Sequence, residues 1–315
     1  MDPQHGGMNA RHRTLAITVA AIWGVNFVAI ERSLEHFPPM FLVALRFALL
    51  AIPTMLFVPW PRVPVRWLVG YGTGFGILQF AFLYWGLDSG MPAGLASLVL
   101  QASAPFTVLL GATFLRERIS GRQVLGILIA IGGLAIVGSH RAQAASILPF
   151  VLTLCGAFGW AIGNICSRQA RPQNPLHLTL WMSVVPPIPM LVLAYVVEGP
   201  QRIEASLTTA FTADTLPALI GLAYTVLIAT AVGSGIWTWL MARHPAGVVA
   251  PFSLLVPVVG MSAAALLLHE TISGYEVIGG VIVVVGVLLG SIGRRTRPRA
   301  WGDQSGRRYD RAVAS

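Results

Sequence analysis

The sequence predicts an all-α integral membrane protein whose ten transmembrane helices form two inverted five-helix repeats. Three observations predict it. The first is composition: 55% of the 315 residues are hydrophobic and 10% charged, with a mean hydropathy of +0.72. A soluble chain carries about 25% charged residues, because its surface must meet water. The second is a series of apolar runs of membrane-spanning length, about 20 residues each. They lie at 14–32, 39–59, 66–87, 92–115 and 121–138, and again at 145–167, 177–197, 215–240, 245–268 and 274–292. The third is self-similarity at an offset of 153 residues. Pro92-Ala93-Gly94 returns as Pro245-Ala246-Gly247, and the ERISG run from Glu117 to Gly121 returns as ETISG from Glu270 to Gly274. Apolar segments match one another cheaply, so the Pro, Gly and Glu coincidences carry the weight. Five helices per repeat is an odd number, so the second copy crosses the membrane in the opposite sense.

The elements follow in order. Arg11 and Arg13 precede the first run as in a signal peptide, but no small-residue cleavage site follows, so it reads as a retained helix. Within it Trp23 and Asn26 share one face. The second run contains Arg46, the one charge well inside a predicted span, and Pro53. The third carries Gly70, Gly72, Gly74 and Gly76, which let another helix approach closely. It is not a phosphate loop, since a P-loop needs a lysine and the chain has none. Gln79 follows, then Gln101 and Pro105 in the fourth run. In the sixth, Trp160 and Asn164 repeat the pairing of an indole with an amide. Cys155 and Cys166 on the same run are separated by about 16 Å of helical rise, too far for a disulfide. Pro186, Pro187 and Pro189 interrupt the seventh run; Tyr224, Ser234 and Trp237 mark the eighth; Pro257 lies in the ninth and Gly286-x-x-x-Gly290 in the tenth. Pro105 and Pro257 fall within one residue of equivalent places and are candidate hinges, or tolerated kinks.

Charge sets the expected orientation. Counting loops alternately, Arg11, Arg13, Arg62, Arg66, Arg116, Arg118, Arg122, Arg168, Arg171, Arg243 and the tail arginines share one side, while Arg32, Arg141 and Arg202 hold the other. The positive-inside rule then makes both termini cytoplasmic. The formal charge of +9 orients the chain rather than binding nucleic acid, and 293–315 reads as a basic disordered cytoplasmic tail.

Polar groups inside hydrocarbon must face protein or water. The candidate substrate-binding set is Asn26, Arg46, Gln79, Gln101, Trp160, Asn164, Tyr224 and Trp237. The amides either line a cavity or tie helices together. Arg46 either meets a substrate carboxylate, pairs with Glu31 or Glu35, or snorkels. No catalytic set and no metal site is signalled, so no enzyme, no metal and no cofactor is expected. The absent lysine also removes ATP-driven pumping by this chain. Two halves that exchange conformations around one site predict alternating access, and hence a transporter.

Several runs carry a family resemblance: Trp23-Gly24-Val25-Asn26-Phe27, Leu45-Arg46-Phe47, Met91-Pro92-Ala93-Gly94-Leu95-Ala96-Ser97-Leu98-Val99-Leu100-Gln101 and Leu254-Leu255-Val256-Pro257-Val258-Val259-Gly260. Over 14–292 the sequence resembles the EamA group of the drug/metabolite transporter superfamily, on the side of its O-acetylserine/cysteine exporters. The resemblance implies two repeats, 14–138 and 145–292, in a bacterial inner membrane. It also implies export of small zwitterionic amino-acid metabolites, with Asn26, Arg46 and Gln101 in the matching motifs. A broader drug or other-metabolite exporter is the alternative; a membrane-embedded enzyme or receptor stands further off. Membrane lipid is the expected surrounding, and the sequence says nothing of the oligomeric state.

Overall fold

The computed structural model describes residues 8–144, 146–244 and 246–291; the tail from 293 lies outside the described residues. Among the described residues ten helical stretches correspond to the expected spans. Spans one and two are Ala10–Leu34 and Pro39–Phe57. Span three, 65–88, is an α-helix with a π segment, Gly72–Gln79, at its centre. Span four, 93–115, has a 3-10 turn at Leu100–Ala102. Spans five and six are Gly121–Ala144 and Leu148–Ala170. Span seven is broken into Pro175–Met182 and Pro187–Val197. Span eight, 213–243, contains a second π segment, Tyr224–Gly233. Span nine, 246–267, contains a 3-10 segment at Ala250–Leu254, and span ten is Gly274–Ser291. Among the described residues, eight stretches are long and apolar enough to cross a membrane, with Gly274–Gly290 a shorter apolar helix. Span three is not among these eight.

The repeat is visible in backbone detail. Spans four and nine end in one left-handed residue each, Arg116 at φ 53° and His269 at φ 57°. Each is followed by a backbone bond closing the last turn, Glu117 N–H to Gly111 O and Glu270 N–H to Ala264 O, both 3.3 Å. These are the same helix-ending motif at the same place in each copy. Spans three and eight both carry the π segment, and spans four and nine both carry the 3-10 turn. Pro105 and Pro257 are each the third residue of the α-helix that follows that turn. A proline cannot bond to the carbonyl four residues back. Those carbonyls belong to Gln101 and Ser253, which lie inside the 3-10 segments.

The repeats interleave rather than sit side by side. Span one packs on eight and nine, span six on three and four, span two on seven, four on nine and five on ten. Small residues permit these approaches. A Cβ added at Gly126 would lie 2.5 Å from Gly286 O, and one at Gly133 would lie 2.7 Å from Gly279 O. Gly126 corresponds to Gly279 and Gly133 to Gly286, so spans five and ten meet antiparallel about a pseudo-twofold axis. That is the signature of an inverted pair. In span three the glycines alternate. Gly70 and Gly74 admit Cys166 and Gly163 of span six, and Gly72 and Gly76 admit Val185 and Pro186 of span seven.

Two details depart from expectation. The loop after span seven contains a short helix, Pro200–Thr208, started by Gly199 at φ 84° and Pro200 at the first position. It was hidden because its two large apolar residues, Ile203 and Leu207, are too few for a hydropathy peak. Glu117 and Glu270, equivalent by the repeat and so expected in equivalent surroundings, also take different partners. Glu270 accepts from the N–H groups of Ala93 (2.7 Å) and Gly94 (3.1 Å), capping span four. Glu117 instead pairs with Arg168 at 3.1 Å. Outside the spans, Glu198 caps span two through Met40 N–H (2.6 Å) and Phe41 N–H (3.0 Å). Burial pushes its carboxyl above the ordinary value, and the two N–H groups act in the other direction. Large apolar side chains such as Leu56, Ile188, Val196 and Leu266 face outwards, as a lipid-facing surface requires.

Candidate functional site

Arg46 organises the centre. It is 4% exposed and sits mid-way along span two. Its Nη1 donates to Tyr84 Oη at 2.9 Å and its Nη2 to Thr230 Oγ1 at 3.1 Å. Its Cζ lies 3.9 Å from the Phe80 ring centroid and 5.2 Å from that of Phe47. Nε is buried with no hydrogen-bond partner among the described residues. Of the alternatives, pairing with Glu31 or Glu35 is not found among the described residues; Glu35 pairs with Arg32 at 2.7 Å. Among the described residues the hydrogen-bond partners of this guanidinium are neutral oxygens, and aromatic faces lie against it. A buried arginine costs about 2.5–3.5 kcal/mol on insertion scales, and a desolvated cation–π contact returns about 2 kcal/mol. The charge is tolerated without being neutralised.

Neighbouring groups extend from it on both sides. Thr230 Oγ1 donates to Thr225 O (2.8 Å), and Thr225 Oγ1 donates to Asn26 Oδ1 (2.8 Å). Tyr224 donates to Ile22 O at 3.0 Å. Trp23 donates from Nε1 to Ala229 O at 2.9 Å, and its ring lies 5.2 Å from that of Trp237. On the other side a ladder of rings runs from Trp160 to Phe75 (6.0 Å) and from Phe75 to Phe80 (5.6 Å), reaching the face against Arg46. The π segments matter here. They widen the helix where side chains from spans one, two and six converge, and they present Phe75 and Gln79 in span three and Tyr224, Thr225 and Thr230 in span eight.

The structure thus links Asn26 to Arg46 through Thr225 and Thr230, and Trp160 to Arg46 through Phe75 and Phe80, while Tyr224 and Trp237 meet span one at Ile22 and Trp23. Gln79 ends the span-three π segment, with its backbone against Gly159, and its Oε1 is buried without a hydrogen-bond partner among the described residues. Gln101 is buried in the 3-10 turn of span four, and among the described residues no hydrogen bond joins its side chain to this cluster. Asn164 donates to Thr107 Oγ1 at 3.1 Å, tying span six to span four. Two apolar recesses lie apart from the cluster. One of about 350 Å³ opens between spans four, five and six beside Phe106, Ile131 and Phe150. A smaller one of about 80 Å³ lies between spans four, five and ten. Pro105 lines both, and none of the other predicted site residues lines either. Among the described residues no group of three His, Cys, Asp or Glu side chains is placed to hold a metal.

Sequence reasoning missed Tyr84, Thr225, Thr230, Phe75 and Phe80. A tyrosine within FLYW reads as an interfacial aromatic, and threonines among small apolar residues read as packing. The available clue was spacing: Phe80 and Tyr84 stand four apart and so share a helix face.

Comparison with known proteins identifies the family. The profile of the EamA-like transporter family matches twice, at 13–139 and 147–292. A protein of Escherichia coli (strain K12) described as a probable amino-acid metabolite efflux pump is 41% identical over 296 residues, covering 92% of this chain and 98% of its own. The protein of the same description from Salmonella typhimurium is 41% identical over 299 residues, covering 93% and 99%. A probable terminal-alkyne amino-acid exporter of Streptantibioticus cattleyicolor is 29% identical over 232 residues, covering 72% of each chain. A solved crystal structure aligns with a TM-score of 0.60 at 18% identity, covering 91% of this chain and 99% of the other, and shares the fold. With both halves matched by one family profile, and relatives of this identity along nearly its whole length, the chain is a multi-pass membrane transporter, not an enzyme, and belongs to the EamA-like transporter family.

Proposed function

We propose that this protein exports small zwitterionic amino-acid metabolites of the cysteine and O-acetylserine kind across the bacterial inner membrane, by alternating access. The observation that carries the reading is Arg46: a buried permanent charge with only neutral partners, held between the two repeats. A substrate carboxylate supplies the missing anion. The names of the 41% identical relatives support the same substrate class. Asn26, Gln79, Gln101 and Asn164 offer hydrogen bonds to the remaining polar groups, and Trp160, Tyr224 and Trp237 form apolar walls.

The repeats, 14–138 and 145–292, are the bodies that exchange conformation, and Pro105 and Pro257 are the hinges. In each repeat a proline follows a 3-10 turn, so the helix already lacks one hydrogen bond where it would bend. Both termini lie in the cytoplasm, following the arginine asymmetry. ATP does not drive the cycle through this chain alone, because it has no lysine with which to build a Walker A loop.

The test is uptake of labelled cysteine and O-acetylserine into inside-out vesicles, with and without a proton gradient, against vesicles lacking the protein. Protein-dependent uptake is the expected result. No uptake by correctly inserted protein removes the substrate assignment, and accumulation of unrelated drugs in its place selects the broader exporter.

A further inference from the structure

Arg46 joins the first repeat to the second through one hydroxyl, Thr230 of the span-eight π segment. That hydroxyl gives its proton to Thr225 O at 2.8 Å, so towards Arg46 it acts only as an acceptor, at 3.1 Å. The geometry of a guanidinium then matters. Nη2 lies on the same side as the Nε hydrogen, and the two N–H groups form the parallel fork that matches both oxygens of a carboxylate. In this fork Nη2 is held by Thr230, while Nε–H is buried without a partner among the described residues. The opposite amino group, Nη1, is fixed by Tyr84, which is 1% exposed. One edge of the guanidinium is anchored, and the other meets a single neutral oxygen where two charged ones fit.

We propose that Thr230 is a stand-in for the substrate carboxylate. It positions Arg46 while no substrate is bound, and an incoming carboxylate displaces it by taking Nε–H and Nη2–H together. The inference rests on the reading of Arg46 as the carboxylate anchor and adds the coupling step. A carboxylate adds the opposite charge and takes both N–H groups of the fork, where the threonine oxygen takes one and leaves Nε–H without a partner among the described residues, so the exchange favours substrate. Displacement releases span eight of the second repeat from span two of the first, while Thr225 still holds Asn26 of span one. Substrate occupancy thereby loosens one tie between repeats and leaves another in place.

The prediction is opposite in sign to that for an ordinary binding residue. Thr230→Val keeps the side-chain shape and removes the competing acceptor. Equilibrium binding of labelled cysteine and O-acetylserine to the purified full-length protein should tighten, with Kd falling about three- to ten-fold. Thr230→Ser should bind as the wild type does, and Arg46→Gln should lose binding. Cysteamine, which lacks the carboxylate, should bind equally to wild type and Thr230→Val. If the valine variant does not fold, Thr230→Ala carries the same expectation. Unchanged or weaker binding by Thr230→Val, with binding lost in Arg46→Gln, overturns the stand-in and leaves the anchor. Binding unchanged in Arg46→Gln, or no saturable binding by the wild type, overturns both.

Discussion

Replacing Gly286 by alanine tests the inverted packing with a single methyl group. In an open helical position Gly→Ala stabilises, by about 1 kcal/mol from helix propensity alone. Gly132, on the exposed side of span five, has nothing within 4 Å of the added Cβ, so Gly132→Ala should show that gain. At Gly286 the same atom would lie 2.5 Å from Ala130 N, 2.7 Å from Gly126 O and 3.0 Å from Ala130 Cα. All three are backbone atoms and cannot rotate away, so spans five and ten must separate. Overpacking of this kind costs about 1–3 kcal/mol, which reverses the sign. Gly290→Ala is a second control, because its Cβ would meet only Gly126 Cα, at 3.9 Å. The assay is unfolding of purified protein in mixed micelles, followed by helical ellipticity as denaturant rises. The expected order is Gly132→Ala above wild type, Gly290→Ala at or above it, and Gly286→Ala clearly below. Equal stability of Gly286→Ala and Gly132→Ala would refute the packing between these two spans.

Other consequences are open to direct measurement. Glu270→Ala removes the acceptor for two N–H groups at the start of span four and should cost about 0.5–2 kcal/mol in the same assay; wild-type stability would show that the cap contributes nothing. Pro105→Ala and Pro257→Ala restore an N–H able to bond to Gln101 O and Ser253 O. They should lower the maximal transport rate several-fold at unchanged KM, whereas unaltered kinetics would remove the hinge role. A phosphatase fused after Ser315 should be inactive and a fluorescent protein there bright, if the tail is cytoplasmic; the reverse pattern would invert the topology.

The elements legible in the sequence were those fixed by local chemistry. Span limits followed from hydropathy because every backbone group in hydrocarbon must bond within its own helix. The repeat followed from Pro92, Gly94, Glu117 and their counterparts, since turn and cap residues tolerate few replacements. Arg46 stood out because a charge in an apolar run is conspicuous wherever it points. Its partners did not, because Thr230 is 184 residues away in sequence and nothing in a threonine's neighbourhood says which helix it will face. The π segments were equally hidden: the glycines of Gly72–Gln79 read as close packing, and Tyr224–Gly233 has no composition that separates it from ordinary helix. Asn26 and Asn164 look alike in sequence, each near a tryptophan. In the fold Asn26 meets Thr225 beside the Arg46 cluster, whereas Asn164 ties span six to Thr107.

The central claim is that a carboxylate-bearing metabolite crosses by way of Arg46. It is tested most directly by initial rates of O-acetylserine and cysteine uptake into inside-out vesicles containing wild type, Arg46→Lys or Arg46→Gln at matched membrane levels. Wild type should transport both, the lysine variant should keep a reduced rate with raised KM, and the glutamine variant should fall to the level of empty vesicles. Wild-type rates from Arg46→Gln, with the protein folded and inserted, would contradict the account.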